Sequence, residues 1–229
     1  MKFFRNVFAF SLIPAIIVAG YTLIKKFLYL TIYIENHYLM FWMGVFFYVT
    51  LQFIFHKPIR AYVLGHELSH AIVGILSGSK IKKFDVKQKY GSVILTKNTV
   101  WITLAPYLFP IYTLVITITY IFLNWFIGIK KFYGYFMCLV GFSIAFHVTL
   151  TIHTLFTKQS DLKIYGVFSS YILILALNIV IFTLLIGVIF PEKMNMKTFF
   201  FQVLGNIEIT YEIIYSGALL IWQTFQKTK

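Results

Sequence analysis

An apolar run from Ile59 to Leu76 carries His66, Glu67 and His70 at its middle, and those three polar residues limit what the chain can become. The pattern reads H-E-x-x-H and continues Gly65-His66-Glu67-Leu68-Ser69-His70-Ala71. On a helix, residues i and i+4 lie about 40° apart around the axis, with roughly 6 Å between Cβ atoms. Two imidazoles at that spacing can grip one metal ion from one face. Glu67 follows the first imidazole and can reach the water on such an ion as a general base. A carboxylate at membrane depth costs on the order of 2.5–3.5 kcal/mol, so it needs a partner or a task. The same letters on a solvated helix would carry less information.

The surroundings read as membrane throughout. The chain has 229 residues, 60% of them hydrophobic and 12% charged, against about 25% charged in soluble domains. Aromatic residues reach 20%. The one cysteine, Cys138, excludes a disulfide framework and a cysteine metal site. A net charge of +13 does not point to nucleic acid. The Lys and Arg residues fall between apolar runs, where membrane topology places them, and no separate basic stretch is interleaved with aromatics. The start, Met1-Lys2-Phe3-Phe4-Arg5, resembles a signal peptide, but no small-x-small cleavage site follows. It is read as an uncleaved first span closed by Lys25-Lys26.

The hydropathy pattern predicts spans over 6–24 (kinked at Pro14), 38–55, 59–76, 100–123, 132–156 and 162–190. The tail, 197–229, is apolar but holds Glu208 and Glu212, and reads as either a seventh span or an interfacial helix. Pro58 suits the start of the third helix, and Ser77-Gly78-Ser79 its end. Residues 80–96 break the pattern. Lys80-Ile81-Lys82-Lys83-Phe84-Asp85-Val86-Lys87 alternates with a period of two, Gln88 to Gly91 forms a turn, and Ser92 to Thr96 is β-branched. This predicts a β-hairpin at the membrane surface. A modest excess of Lys and Arg favours a cytoplasmic hairpin. Pro106 and Pro110 should break or bend the fourth span. The expected fold is an all-α polytopic membrane bundle of about six to seven helices with that small hairpin. It forms one domain over 1–229, with a core at 58–170, extra spans at 1–57, and further spans or an interfacial helix at 171–229.

A catalytic zinc usually takes three protein ligands and leaves a place for water. His66 and His70 supply two. Of the other acids, Glu35 and Asp85 fall in surface segments, Glu192 in a loop, and Glu208 and Glu212 in the tail. Asp161 stands at the junction of the fifth and sixth spans and is the favoured third ligand. His56, His147 and His153 are the imidazole competitors. Asp161 also suits a helix N-cap, and the two roles are compatible.

With these residues in place, the chain resembles the site-2 protease family of intramembrane zinc metallopeptidases, especially its small bacterial branch. His66-Glu67-Leu68-Ser69-His70-Ala71 with Gly78 is similar to the family's first motif. Gly91-Ser92-Val93 through Leu104-Ala105-Pro106-Tyr107 is similar to its strand-then-helix continuation. The third motif, N-x-x-P-x-x-x-L-D-G, matches at Asp161 alone and puts His153 at the Asn position. The resemblance covers roughly residues 58–170. It implies one Zn2+ per chain on His66, His70 and Asp161, with Glu67 as the base that activates the water. It further implies that His153 touches substrate or the oxyanion, that the substrate is another membrane protein, and that the bacterial cytoplasmic membrane is the location.

Two other classes fit part of the pattern. A membrane di-iron oxidase also uses H-x-x-x-H, but needs about eight histidines including adjacent pairs, and this chain has six and no His-His. A non-catalytic relative acting in transport or binding would have lost a ligand or the base, and all three motif residues are intact. His37 and His56 read as interfacial, Asn124 and Asn178 as helix-bridging, and Trp101, Trp125 and Trp222 as interface anchors.

Overall fold

The computed structural model describes residues 2–32, 37–55, 58–88, 90–156 and 160–227. Ten α-helices and one hairpin follow in chain order among them. They are α1 (Lys2–Ser11), α2 (Ile13–Ile32), α3 (His37–Ile54), α4 (Ile59–Leu76), β1 (Ile81–Val86), β2 (Gly91–Leu95), α5 (Val100–Leu108), α6 (Ile111–Ile127), α7 (Tyr133–Leu155), α8 (Ser160–Ile164), α9 (Val167–Ile189) and α10 (Met196–Lys227). Glu35 and His56 lie outside the described residues.

Among the described residues, three helical stretches are long and apolar enough to cross a membrane: Phe3–Ile32, Lys130–Leu155 and Val167–Ile189. The pair α5 and α6 makes a fourth if it counts as one span, bent by 75°. The expected six to seven spans are therefore not all found by length and composition. The apolar part of α3, Leu39–Ile54, is short. Helix α4 is diluted by Arg60, His66, Glu67, Ser69 and His70, and α10 by Asn206, Glu208 and Glu212. Helix α10 is a single element of 32 residues, exposed from Tyr211 to Gln226.

The chain packs into two compact units, residues 1–30 with 171–229, and residues 31–170. In the first unit, Asn206 Nδ2 donates to Thr22 Oγ1 at 3.1 Å, tying α10 to α2. The second unit holds the whole 58–170 core. Its most extensively packed helix pair is α3 with α7. That approach needs two glycines. A methyl group on Gly44 would strike the Cys138 carbonyl, and one on Gly141 the Phe41 carbonyl. Small residues that let backbones meet are the usual device for packing helices in lipid. Gly141→Ala is expected to destabilise this pair by at least about 1–3 kcal/mol, the overpacking range, and thermal unfolding in detergent checks it.

The local signals mostly match the elements. Helix α4 ends where Gly78 turns left-handed, φ 72°, with Ser79 N–H donating to Gly74 O at 2.8 Å. Thr99 caps α5, its side chain accepting from Ile102 N–H. Pro110 opens α6 after the break at Phe109. Strands β1 and β2 pair antiparallel, Phe84 opposite Val93 and Val86 opposite Gly91, with an irregularity between Ile81 and Lys83. Burial alternates along β2, so Gly91, Val93 and Leu95 face inward. The base of the hairpin is closed by Ser79, whose Oγ accepts from Lys97 N–H at 3.0 Å.

Leu95 packs on Gly74, while Gly91 reaches Glu67 and Val63. The strands therefore run back alongside α4 for more than two turns. Lys80, Lys82, Lys83 and Lys87 stay exposed along that flank.

Candidate metal centre

Four elements of the second unit meet at His66 and His70: α4, β2, α5 and α8. Helical spacing sets both imidazoles on one face of α4, ring centroids 5.0 Å apart. Asp161, on α8, comes back against them. Its Oδ2 lies 3.5 Å from His66 Nε2 and 3.7 Å from His70 Nε2. One donor atom from each residue falls within 4.8 Å of the others, so the group could hold a single metal ion. Asp161, the acid favoured on sequence grounds, is thus the one that the fold brings to the two imidazoles.

The imidazole orientations are set by second contacts. His70 Nδ1 donates to the Ile102 carbonyl at 2.6 Å. That places a proton on Nδ1 and leaves Nε2 directed at Asp161. Between Nε2 and the carboxylate oxygen there is then a place for one cation, a proton or a metal ion. Two imidazole nitrogens and a carboxylate oxygen are also the donor set that zinc takes in open sites. His66 Nδ1 lies 3.4 Å from the hydroxyl of Tyr62, one turn earlier on the same face.

The Ile102 carbonyl is available for a local reason. In α5 it would normally accept the N–H of residue 106, four positions on. Residue 106 is proline and has none. The bend that Pro106 signals in the sequence thus delivers a backbone acceptor to an imidazole of the candidate metal site. Pro106→Ala restores the competing N–H. It is expected to stabilise α5 and yet weaken metal affinity about 10- to 100-fold, the usual range for an outer-shell partner. Titration of the metal-free variant with zinc against a competing chelator measures it.

Asp161 is held from the other side by Tyr107, fully buried, whose hydroxyl donates to Oδ2 at 3.3 Å. Burial works against the charge on Asp161. His66 and His70 outweigh it and hold the carboxyl below the usual carboxylate range.

Glu67 is 7% exposed and points to the hairpin. Its carboxyl group lies against β2 at Gly91. The strand can come this close because residue 91 is glycine. A methyl group there would sit 2.6 Å from Glu67 Cγ and 2.9 Å from Oε1. Glu67 lines a cavity of about 460 Å³ with His66, His70, Asp161 and the whole of β2. Asn98 and Thr103 complete its wall, Thr103 Oγ1 donating to Asn98 Oδ1 at 2.9 Å.

Other candidates lie elsewhere. His153 is exposed near the end of α7 and is not among the residues lining this cavity. His147 is partly buried on α7, outside that lining as well. Glu208 and Glu212 are exposed on α10. Asp85 is on β1, opposite Ser92. Sequence reasoning missed Tyr62, Tyr107, Asn98 and the Ile102 carbonyl. Two of these left a signal: Tyr62 is four residues before His66, and Pro106 is four after Ile102.

No family model matches the chain, and the searches of curated proteins and of solved structures found no match either.

Proposed function

We propose that the chain is an intramembrane zinc metallopeptidase that cleaves transmembrane or membrane-proximal segments of other membrane proteins. The observation that carries this is the convergence of His66 Nε2, His70 Nε2 and Asp161 Oδ2, with Glu67 lining the same cavity. The resemblance of residues 58–170 to the site-2 protease family points the same way.

His66, His70 and Asp161 would hold the ion. Zinc bound there would supply a Lewis acid that polarises the scissile carbonyl and acidifies the attacking water. Glu67 takes the proton of the attacking water and later delivers it to the leaving amine. Tyr107 and the Ile102 carbonyl keep Asp161 and His70 in position, as outer contacts of metal ligands do. A transmembrane helix has its own carbonyls bonded, so the substrate must unwind locally before attack. Strand β2 offers an edge along the cavity where an unwound segment can add as a further strand. The exposed lysines of the hairpin keep that flank hydrated.

The test uses protein purified in detergent and a tagged single-span substrate. One zinc per chain is expected. Removing it with a chelator should end cleavage, and adding zinc back should restore it. Cleavage that survives metal removal, or two irons per chain, would overturn the proposal.

A further inference from the structure

We infer that the outer face of the hairpin base, built from Lys80, Lys82 and Lys83, binds the headgroup of an anionic phospholipid. The hairpin follows α4 directly, after the turn at Gly78 and Ser79. From Lys80 to Lys97 the chain has six lysines in 18 residues and one acid, Asp85. Topology rules account for lysines in a segment between apolar helices. They do not account for how these lysines are sorted between the two faces of the hairpin.

The strand register does the sorting. Residues opposite each other in an antiparallel pair share a face. Ile81 stands opposite Leu95, Phe84 opposite Val93 and Val86 opposite Gly91, and these pairs face α4. Lys83 stands opposite the exposed Ile94 and so faces outward. Thr96 N–H donates to Lys80 O at 3.0 Å, and Lys80 N–H to Thr96 Oγ1 at 2.9 Å, which pairs Lys80 with Thr96. Thr96 is two residues on from Ile94, so Lys80 faces outward too. On a regular strand, residues three apart fall on opposite faces. The irregularity between Ile81 and Lys83 adds one residue, Lys82, and brings Lys80 and Lys83 to the same side. Lys82 is itself exposed. Toward the tip the same alternation holds. Lys87 pairs with Tyr90, and its Nζ lies 5.1 Å from the centre of that ring.

Lys80 and Lys83 are two cross-strand pairs apart on this face, about 7 Å along the strand. Among the described residues no ion pair joins Lys80, Lys82 or Lys83 to an acid. Three ammonium groups this close repel one another, and an anion between them relieves the repulsion. Lysine binds phosphate as a compact point charge, so a phosphodiester suits the cluster. Ile94, 49% exposed on the same face, adds apolar contact that a free phosphate would not use and the first methylenes of a lipid would. Three helical stretches of the chain are long and apolar enough to cross a membrane, which makes the bilayer the constant neighbour. A lysine cluster next to an apolar helix attracts anionic lipid, each lysine adding roughly fivefold to the affinity.

The test needs no cleavage and so stands apart from the peptidase reading. Full-length protein in detergent is mixed with equal amounts of dioleoyl phosphatidylglycerol and dioleoyl phosphatidylcholine, and retained lipid is read by native mass spectrometry. The two lipids share their acyl chains, so the ratio reports the headgroup. The wild type is expected to prefer phosphatidylglycerol roughly tenfold to a hundredfold. Replacing Lys80, Lys82 and Lys83 together by Gln should remove most of that preference. Replacing Lys130, Lys131 and Lys197 by Gln removes the same charge elsewhere and should leave it. Deleting Lys82 should cost more of the preference than Lys82→Gln, because the deletion also restores regular alternation. No preference in the wild type, equal losses in the two triple variants, or equal losses for the two changes at Lys82 would overturn the inference. So would release of phosphatidylglycerol by an equimolar hexaglutamate peptide, which would give the face to an acidic protein segment instead.

Discussion

Glu67→Gln is expected to keep one zinc per chain and to lower the rate of cleavage by roughly a hundredfold to ten-thousandfold, the contribution of a positioned general base. Glutamine fills the same volume, so the buried contact with Gly91 survives. What it cannot do is take a proton from water. The side chain is not a metal ligand in this geometry, because the convergent donor atoms come from His66, His70 and Asp161. Metal content and initial rates at equal zinc occupancy are the measurements. A variant that cleaves as fast as the wild type would remove Glu67 from the chemistry. A variant that loses its zinc would mean that the carboxylate is a ligand after all.

Asp161→Ala should fail in the opposite way. Structural zinc sites bind with about 10–16 kcal/mol shared among four ligands, so deleting one ligand weakens binding by roughly a hundredfold to a thousandfold or more. Two further effects add to this. The Tyr107 hydroxyl loses its carboxylate acceptor in a fully buried position. The two Nε2 atoms also lose the negative charge opposite them. Competitive zinc titration followed by metal analysis distinguishes the two variants: Glu67→Gln keeps zinc and loses cleavage, and Asp161→Ala loses both. Zinc affinity unchanged in Asp161→Ala would leave the third ligand to another residue. His153 and His147 are poorly placed to replace it, since neither lines the cavity.

Much of this site can be read one residue at a time. The pair His66 and His70 follows from helical periodicity, and α4 has the bounds that Pro58 and Gly78 suggest. The hairpin follows from a period of two between two turns. Asp161 follows from the scarcity of acids in an apolar chain. Span counting fares less well. The apolar part of α3 is too short, and α4 and α10, long enough, are not apolar enough, α4 because it carries the polar residues of the site. How the hairpin sits on the helix is not legible either: the glycines at 74 and 91 let it lie alongside α4. Their effect depends on what packs against them.

The amino-acid sequence by itself determines the chemistry on offer: two imidazoles on one helical face, a carboxylate beside them, one strand-forming segment, and few other acids. Those are local properties, set by spacing and side-chain type. Only the tertiary structure decides how they are joined. His70 and Asp161, 91 positions apart in the chain, meet through packing of α5 on α4 and of α8 on α5. No local pattern encodes contacts so far apart along the chain. The same holds for the carbonyl that Pro106 leaves free, which finds His70 across 32 residues. It holds as well for β2, which meets Glu67 because glycine at 91 leaves no side chain between strand and helix.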